Sequence, residues 1–469
     1  MCLIKRCYNQ TMKLSQPYLN YPQAMVQPID FPPAKQDAVF LYVNMDLIKR
    51  CGWEALLSQA GCELLSGHQS SIECTPLALA YGGHQFGYFT RLGDGRACVI
   101  GRSHGLDVCL KGSGPTQYAR GGDGLAPLPS LIKELLMSTA LNALHVPSSR
   151  TISITYHHKT AFREQALPAG VLARCMRTNI RIGSIEYASM FHHKEDVKQI
   201  LTLAISQLMP SLLQEKNSIP RFVKECCVWW GKLTAQWESV GFVHGVLNSD
   251  NVSLAYETID FGPCAFMETM NHHQAYSSID VLNRYAYANQ SNIMRFNVSL
   301  FLNSCQSLLN ESIDDYLILF DESYETTLTY LTSRKLGLVQ GDLQLWRSYL
   351  NCLEDSHLDF TDSFVTLMND VSSMYDHSKQ LDAWLKEYEN RIHSQAMSEK
   401  QRVTIMRQVN PLIVLRHDLV NTIIEQCMNQ DFSLLDEVMV MIQDPFYPKY
   451  KHHPWFKPSV SKIVTTCGT

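Results

Sequence analysis

Two short strings place oxygen-bearing side chains where a magnesium ion could use them: His244-Gly-Val-Leu-Asn-Ser-Asp-Asn251 and Ile259-Asp-Phe-Gly262. Asn251 and Asp260 stand nine residues apart, a spacing that a tight hairpin would close. Magnesium takes hard oxygen ligands and keeps several waters, so one amide oxygen and one carboxylate suffice from the protein. Enzymes that transfer phosphate groups use this pair to hold metal ions against nucleotide phosphates. Asp-Phe-Gly alone is as readily a chance turn; the adjoining His-Gly…Asp-Asn string makes the functional reading the better one.

The same string departs from kinase chemistry at one place. The third residue of such a loop is ordinarily an Asp that engages the acceptor hydroxyl, and here it is Val246. An isopropyl group can neither take a proton nor orient a hydroxyl. Asp250 is the one carboxylate in the loop, with a turn-forming role as its alternative reading.

Upstream, Lys111 ends a β-like run and Glu134 falls in the second turn of a following helix, an order that fits a strand lysine held by a helix glutamate. Arg174 and Arg181 flank the end of another run, and paired guanidiniums can clamp phosphate. Arg177 between them reads better as surface charge. Gly93-Asp-Gly-Arg96 offers flexible backbone beside a cation, with a plain turn as its alternative. The His pairs at 157/158, 192/193, 272/273 and 452/453 lack ligand spacing.

The elements that must position these groups fall into a sequence. Residues 1–75 read as a Pro-punctuated extension with one helical stretch from Met45 to Leu65. Strands are expected at 97–101 and 107–112, joined by a turn at Arg102–Gly105, and again at 151–155 and 170–176. A helix opens at Pro127 and Pro129, capped by Ser130, and runs to Leu144. From Asn179 onward the pattern is mostly helical, with Trp230, Leu233 and Trp237 on one stripe. Val252–Tyr256 and Thr258–Phe261 are candidate strands within it.

Composition sets the bounds. The 469 residues carry a formal net charge of -5, too mild for a general affinity for nucleic acid or anionic membranes. Hydrophobic residues make up 45%, ordinary for a globular chain. No apolar run reaches the roughly 18 residues of a membrane span. The fifteen cysteines sit mostly in apolar runs without a CxxC pair, as expected of reduced thiols rather than a zinc site.

These motifs together resemble the selenoprotein O family of pseudokinase-fold protein adenylyltransferases, found in bacteria and mitochondria. The likeness runs through Tyr81–Gly87, Leu92–Ala97, Leu110–Gly114, Tyr118–Gly124, Arg181–Ser184, Gly241–Asn251, Thr258–Pro263, Asn410-Pro411, Leu415-Arg416 and Cys467-Gly-Thr469. It implies an α+β, bilobal protein-kinase-like fold with an N-terminal extension (1–75), an N-lobe (76–190), an enlarged helical C-lobe (191–450) and a tail (451–469). It implies that ATP lies reversed in the cleft, so that AMP passes to a Ser, Thr or Tyr hydroxyl and pyrophosphate leaves. UTP with manganese is the alternative donor described for some relatives. By position, Asp250 would be the base, and Asn251 and Asp260 would hold Mg2+ or Mn2+. Gly93, Gly95, Arg96, Lys111, Asp123, Gly124, Arg174, Arg181 and Asp260 would contact nucleotide, and Cys467 would be the redox-active position. Pro115, Leu125 and Pro129 stand where the family usually has basic residues. Tyr276 stands where many bacterial members carry the cysteine that pairs with the terminal one, and Cys264 is a substitute candidate. The expected partners are ATP and acceptor proteins, without nucleic acid or membrane. The expected compartment is the bacterial cytoplasm, or the mitochondrion in a eukaryote. An atypical kinase and a non-catalytic nucleotide-binding scaffold are the rival readings.

Overall fold

Strands form along short, mostly apolar runs in which neighbouring residues are buried in turn, so both faces of the sheet are covered. In a computed structural model, which describes residues 13–34, 38–85, 87–450 and 452–459, nine strands make one antiparallel sheet. They are β1 (Val26–Pro28), β2 (Val39–Val43), β3 (Leu77–Gln85), β4 (Tyr88–Gly93), β5 (Ala97–Ser103), β6 (Leu106–Lys111), β7 (Ala126–Pro127), β8 (Arg150–Phe162) and β9 (Ala166–Met176). The order is β1-β3-β5-β6-β9-β8-β2, with β4 on β3 and β7 on β9. On one face Cys98, Ile100, Val108, Leu110, Val171 and Ala173 pack with the residues of α1 (Met45–Arg50) and α2 (Gln59–Leu65). On the other, Val99, Cys109, Ile154 and Leu172 pack against α3 (Leu128–Ala143). Burial of successive residues on opposite faces explains why these strands read as unbroken apolar runs.

Several expectations shift here. The stretch Met45–Leu65 is α1, a 3-10 turn at Glu54–Leu57 and α2, because Gly52 adopts a left-handed φ of 61° and Ser58 starts a new helix by capping Gly61. Tyr81–Gln85 is strand: it lies in β3 and forms a hairpin with β4. Ser130 does not cap α3; its hydroxyl donates to the Pro127 carbonyl at 2.8 Å. Strands β8 and β9 extend well beyond the runs read from sequence, as a long hairpin.

The rest is helical: α4 (Ile182–Phe191), α5 (Lys194–Leu208), α6 (Ser218–Ser239), α7 (Gln290–Cys305), α8 (Ile313–Leu336), α9 (Leu343–Asp355), α10 (Phe360–Asn369), α11 (Lys379–Ser394), α12 (Glu399–Arg407), α13 (His417–Met428) and α14 (Ser433–Ile442). A two-residue ladder joins β10 (Phe242–Val243) to β11 (Ala265–Phe266) among them. The fold is therefore mixed α/β, a large antiparallel sheet followed by many helices. A second core joins α8 to α11 through stacked rings, Trp346 on Phe364 and Tyr349 on Trp384. Val252–Tyr256 and Thr258–Phe261 make only isolated bridges, Val252 to Thr258, Arg181 to Ser253 and Ser148 to Thr258, so neither is a strand. No helix among the described residues is long and apolar enough to cross a membrane.

Candidate active site

The β10–β11 ladder decides where the two oxygen-bearing strings meet. His244 follows directly on β10 and Gly262 lies just ahead of β11, so both strings emerge at one end of the ladder. Three helices then fix the loop. From α7, Gln290 accepts the His244 amide at 2.9 Å and Asn297 donates to the Leu247 carbonyl at 3.0 Å. From α6, Trp230 Nε1 donates to the Ser253 carbonyl and Trp237 Nε1 to Thr258 Oγ1, both at 2.9 Å. From α4, Gly183 lies against both the Asp250 backbone and Gly82 of β3, so close that a Cβ would strike the Gly82 carbonyl. Buried His244 bonds the Ile259 carbonyl through Nε2 at 2.9 Å, and burial lowers its pKa, so it ties the two strings together as a neutral ring.

A chain of charge crosses from the sheet to this loop. Lys111 Nζ lies 2.5 Å from Glu134 Oε2, and Arg174 Nη1 lies 2.7 Å from Glu134 Oε1. Arg174 also reaches Asp260 at 3.3 Å, and Arg181 Nη1 reaches Asp260 Oδ2 at 2.9 Å. The same Arg181 nitrogen donates to the Asp250 carbonyl at 3.0 Å, and its guanidinium lies 4.6 Å over the Tyr81 ring. Burial works to raise the Asp260 carboxyl, but Arg181, Arg174 and Lys111 outweigh it and hold it well below its ordinary range. For Glu134, burial is likewise overcome by Lys111 and Arg174. Both carboxylates are ionised. Asp260 also adopts a left-handed φ of 61°, a backbone state uncommon for a residue other than glycine and concentrated at functional sites.

Asp250 differs from both. It is 6% exposed, its Oδ1 has no hydrogen-bond partner, and burial raises its pKa to about 7 against the opposing pull of Arg181. Gly83 lies directly on it: a Cβ there would run into the carboxylate. The His84 amide bonds Ser249 Oγ at 2.9 Å, and His84 Nδ1 pairs with buried Glu186 at 2.6 Å, so the β3–β4 hairpin is latched to the loop. Asn251 uses its amide nitrogen on the Val246 carbonyl at 2.9 Å.

The structure brings Lys111, Glu134, Arg174, Arg181, Asp260 and Asp250 into this one network. Gly93 and Gly95 serve packing: Cβ atoms there would meet Tyr118, so their absence lets the loop around Asp123 approach Arg96. Asp123 pairs with Arg163 at 2.9 Å and shares the edge of the site with Arg96, which burial and Arg163 push below its usual pKa. Gly124 has a φ of 66° and backs onto Gly114 and Pro115. Arg177 points away, toward the Ala255 and Leu208 carbonyls. Cys467 lies outside the described residues. Tyr276 is buried with its hydroxyl on the Phe266 carbonyl, and Cys264 is one of the free, buried thiols.

Sequence reasoning missed Asp94, Arg163 and the His84–Glu186–Ser249 latch. Asp94 is buried, accepts the Leu79 amide at 3.0 Å and faces Arg181. Its place between two glycines was the available signal.

No trio of His, Cys, Asp or Glu suited to a metal occurs among the described residues. The donors present still fit a hard cation: an ionised Asp260 and the Asn251 amide oxygen, whose nitrogen is the atom that bonds Val246, are oxygen ligands.

A buried cluster of two arginines and a lysine around ionised carboxylates, beside a shielded aspartate, has the make-up of a site that handles polyphosphate and moves a proton. Residues 20–443 match the family described as Protein adenylyltransferase SelO. The chain is 32% identical to the protein nucleotidyltransferase YdiU of Clostridium perfringens over 97% of both chains. It is 34% identical to that of Bacillus cytotoxicus over 89% of both. With that of Anoxybacillus flavithermus it shares 32%, over 98% of this chain and all of the relative. The chain belongs to the SelO family.

Proposed function

We propose that this protein transfers AMP from ATP to hydroxyl groups of acceptor proteins. The observation that carries the reading is Asp250, a buried carboxylate with an open oxygen, held next to a cationic cluster in a loop whose kinase base position is Val246. The family's description as a protein adenylyltransferase supports it. The relatives' name, protein nucleotidyltransferase, leaves UTP as a second donor.

In this reading the acceptor hydroxyl gives its proton to Asp250 as its oxygen bonds to the α-phosphorus. The bond from that phosphorus to the bridging oxygen breaks, and pyrophosphate leaves with the electron pair. Lys111, Arg174 and Arg181 neutralise the phosphates, and fixed cations in a poorly hydrated site do so with little reorganisation. Phosphate oxygens compete with Asp260 for its arginines, which releases that carboxylate. Asn251 and Asp260 would then hold Mg2+ or Mn2+, which supplies charge neutralisation at the phosphates when bound. Gly93, Gly95, Arg96, Asp123 and Gly124 form the second wall of the nucleotide site.

The sheet with α3, the Lys111–Glu134 pair and the two loops at the ladder support a bilobal kinase-like fold. Its parts would be an N-terminal extension (1–75), an N-lobe (76–190), a helical C-lobe (191–450) and a tail (451–469) that bears Cys467.

ATP labelled at the α-phosphate should label protein and ATP labelled at the γ-phosphate should not. Asp250→Ala and Asp260→Ala should abolish the signal. Label arriving from the γ position would reject the reading in favour of a kinase.

A further inference from the structure

A cavity of about 210 Å³ opens from the edge of the charged cluster and runs between α3, the Phe261–Ala265 segment and α13. At its inner end stand Arg96, Lys111 and Glu134; along it lie Lys133, Met137, Phe261 and His417; Asn421 marks its exposed outer rim. None of Lys133, His417 and Asn421 has a part in the proposed reaction.

Its chemistry is that of a small-anion site. Three cationic side chains face it and one carboxylate, Glu134, which Lys111 and Arg174 already hold. Lys133 Nζ donates to the Gly262 carbonyl at 2.7 Å, which fixes its charge on the wall beside the Asp-Phe-Gly turn. The facing His417 is held below its ordinary pKa by burial and by Lys133, with Glu268 opposing from behind. Met137, Phe261, Val420 and Ile424 make the remaining wall apolar, and low local polarity strengthens each charge interaction inside. Pockets for drug-sized ligands span about 300–1,000 Å³. This one is smaller, so it suits a fragment rather than a whole nucleotide.

We propose that this cavity receives inorganic pyrophosphate, the leaving group of the transfer, and that Lys133 is an anion-binding residue on its way out. The inference rests on the AMP-transfer reading. A leaving group of several negative charges departs away from the acceptor; here Arg96, Lys111 and, beyond them, Lys133 line a cavity that reaches Asn421 and includes no residue of the hairpin that covers Asp250.

Calorimetry on the full chain with Mg2+ and inorganic pyrophosphate tests it without requiring turnover. Lys133→Met should weaken binding by about ten- to hundredfold, the loss of one charge-assisted hydrogen bond. Lys133→Arg should restore most of it. Asn421→Trp, a rim change that removes no cation, should also weaken pyrophosphate binding by obstruction. AMP, the part that stays on the acceptor, should bind all variants alike. Wild-type affinity for pyrophosphate in both Lys133→Met and Asn421→Trp would overturn the proposal, as would orthophosphate binding as tightly as pyrophosphate. Failure of the wild type to transfer α-label would reject the reaction and leave the calorimetric result to stand or fall by itself.

Discussion

Glu134 serves two cations with one carboxylate, and its removal is therefore costly in a way its sequence position does not advertise. Glu134→Gln would leave Lys111 and Arg174 buried with their shared counter-charge gone; breaking a buried ion pair from one side costs about 3–5 kcal/mol. Chemical unfolding should show a loss of that order. Lys335 makes the opposite case. It is 3% exposed, its Nζ lies 4.5 Å over the Phe364 ring, and burial lowers its pKa from 10.5 to about 7 despite the support of that ring. Between those values the unfolded chain binds more protons, so this residue makes stability rise with pH; below about 7 the buried charge is present at full cost. Lys335→Met should raise the thermal midpoint most at low pH and flatten the rise at high pH, as melts at about pH 6, 7.5 and 9 would show. At this scale the sequence was readable where residue type and chain order coincide. Lys111, Glu134, Arg174, Arg181 and Asp260 all fall in one network. Arg163 was not legible, because nothing near it in the chain points to its partner Asp123, and Asp94 offered only its place between two glycines.

The elements explain why that network holds its shape. The tryptophan stripe on α6 looked like ordinary core, and it is; yet two of its ring nitrogens reach the segment between the two oxygen-bearing strings. Trp237→Phe removes the bond to Thr258 and leaves part of the buried indole's space empty, so it should cost about 2–4 kcal/mol in stability and lower AMP transfer through a displaced Asp260. Trp230 and Trp237 could be placed on one helix face from their spacing, but no periodicity names the atom at the far end of an indole. Strand β3 was missed because its three polar and two glycine residues at Tyr81–Gln85 lack the alternation of a half-buried strand. The glycines are there for the loop beneath. Gly83→Ala should abolish transfer while the thermal melt remains cooperative, since the intruding methyl meets the Asp250 carboxylate and the hairpin can shift to relieve it.

At the scale of the whole molecule, residues 13–34 and 38–44 are more tightly built in than a Pro-rich extension would lead one to expect. They supply β1 and β2, the two ends of the sheet order, and Tyr18, whose hydroxyl bonds Asp107 at 2.5 Å. Their strands were hidden in sequence because edge strands of three and five residues carry too little pattern to register. A chain starting at residue 45 would expose β3 and β8 as unpaired edges and should elute as aggregate in size-exclusion chromatography. The hairpin that rests on Asp250 has a further effect. In the proposed transfer a base kept dry would not activate stray water, so ATP bound at rest would be spared hydrolysis. On the same reading, an acceptor that lifts the Gly82–Gly83 backbone would expose the carboxylate, and turnover would follow the acceptor rather than the supply of nucleotide.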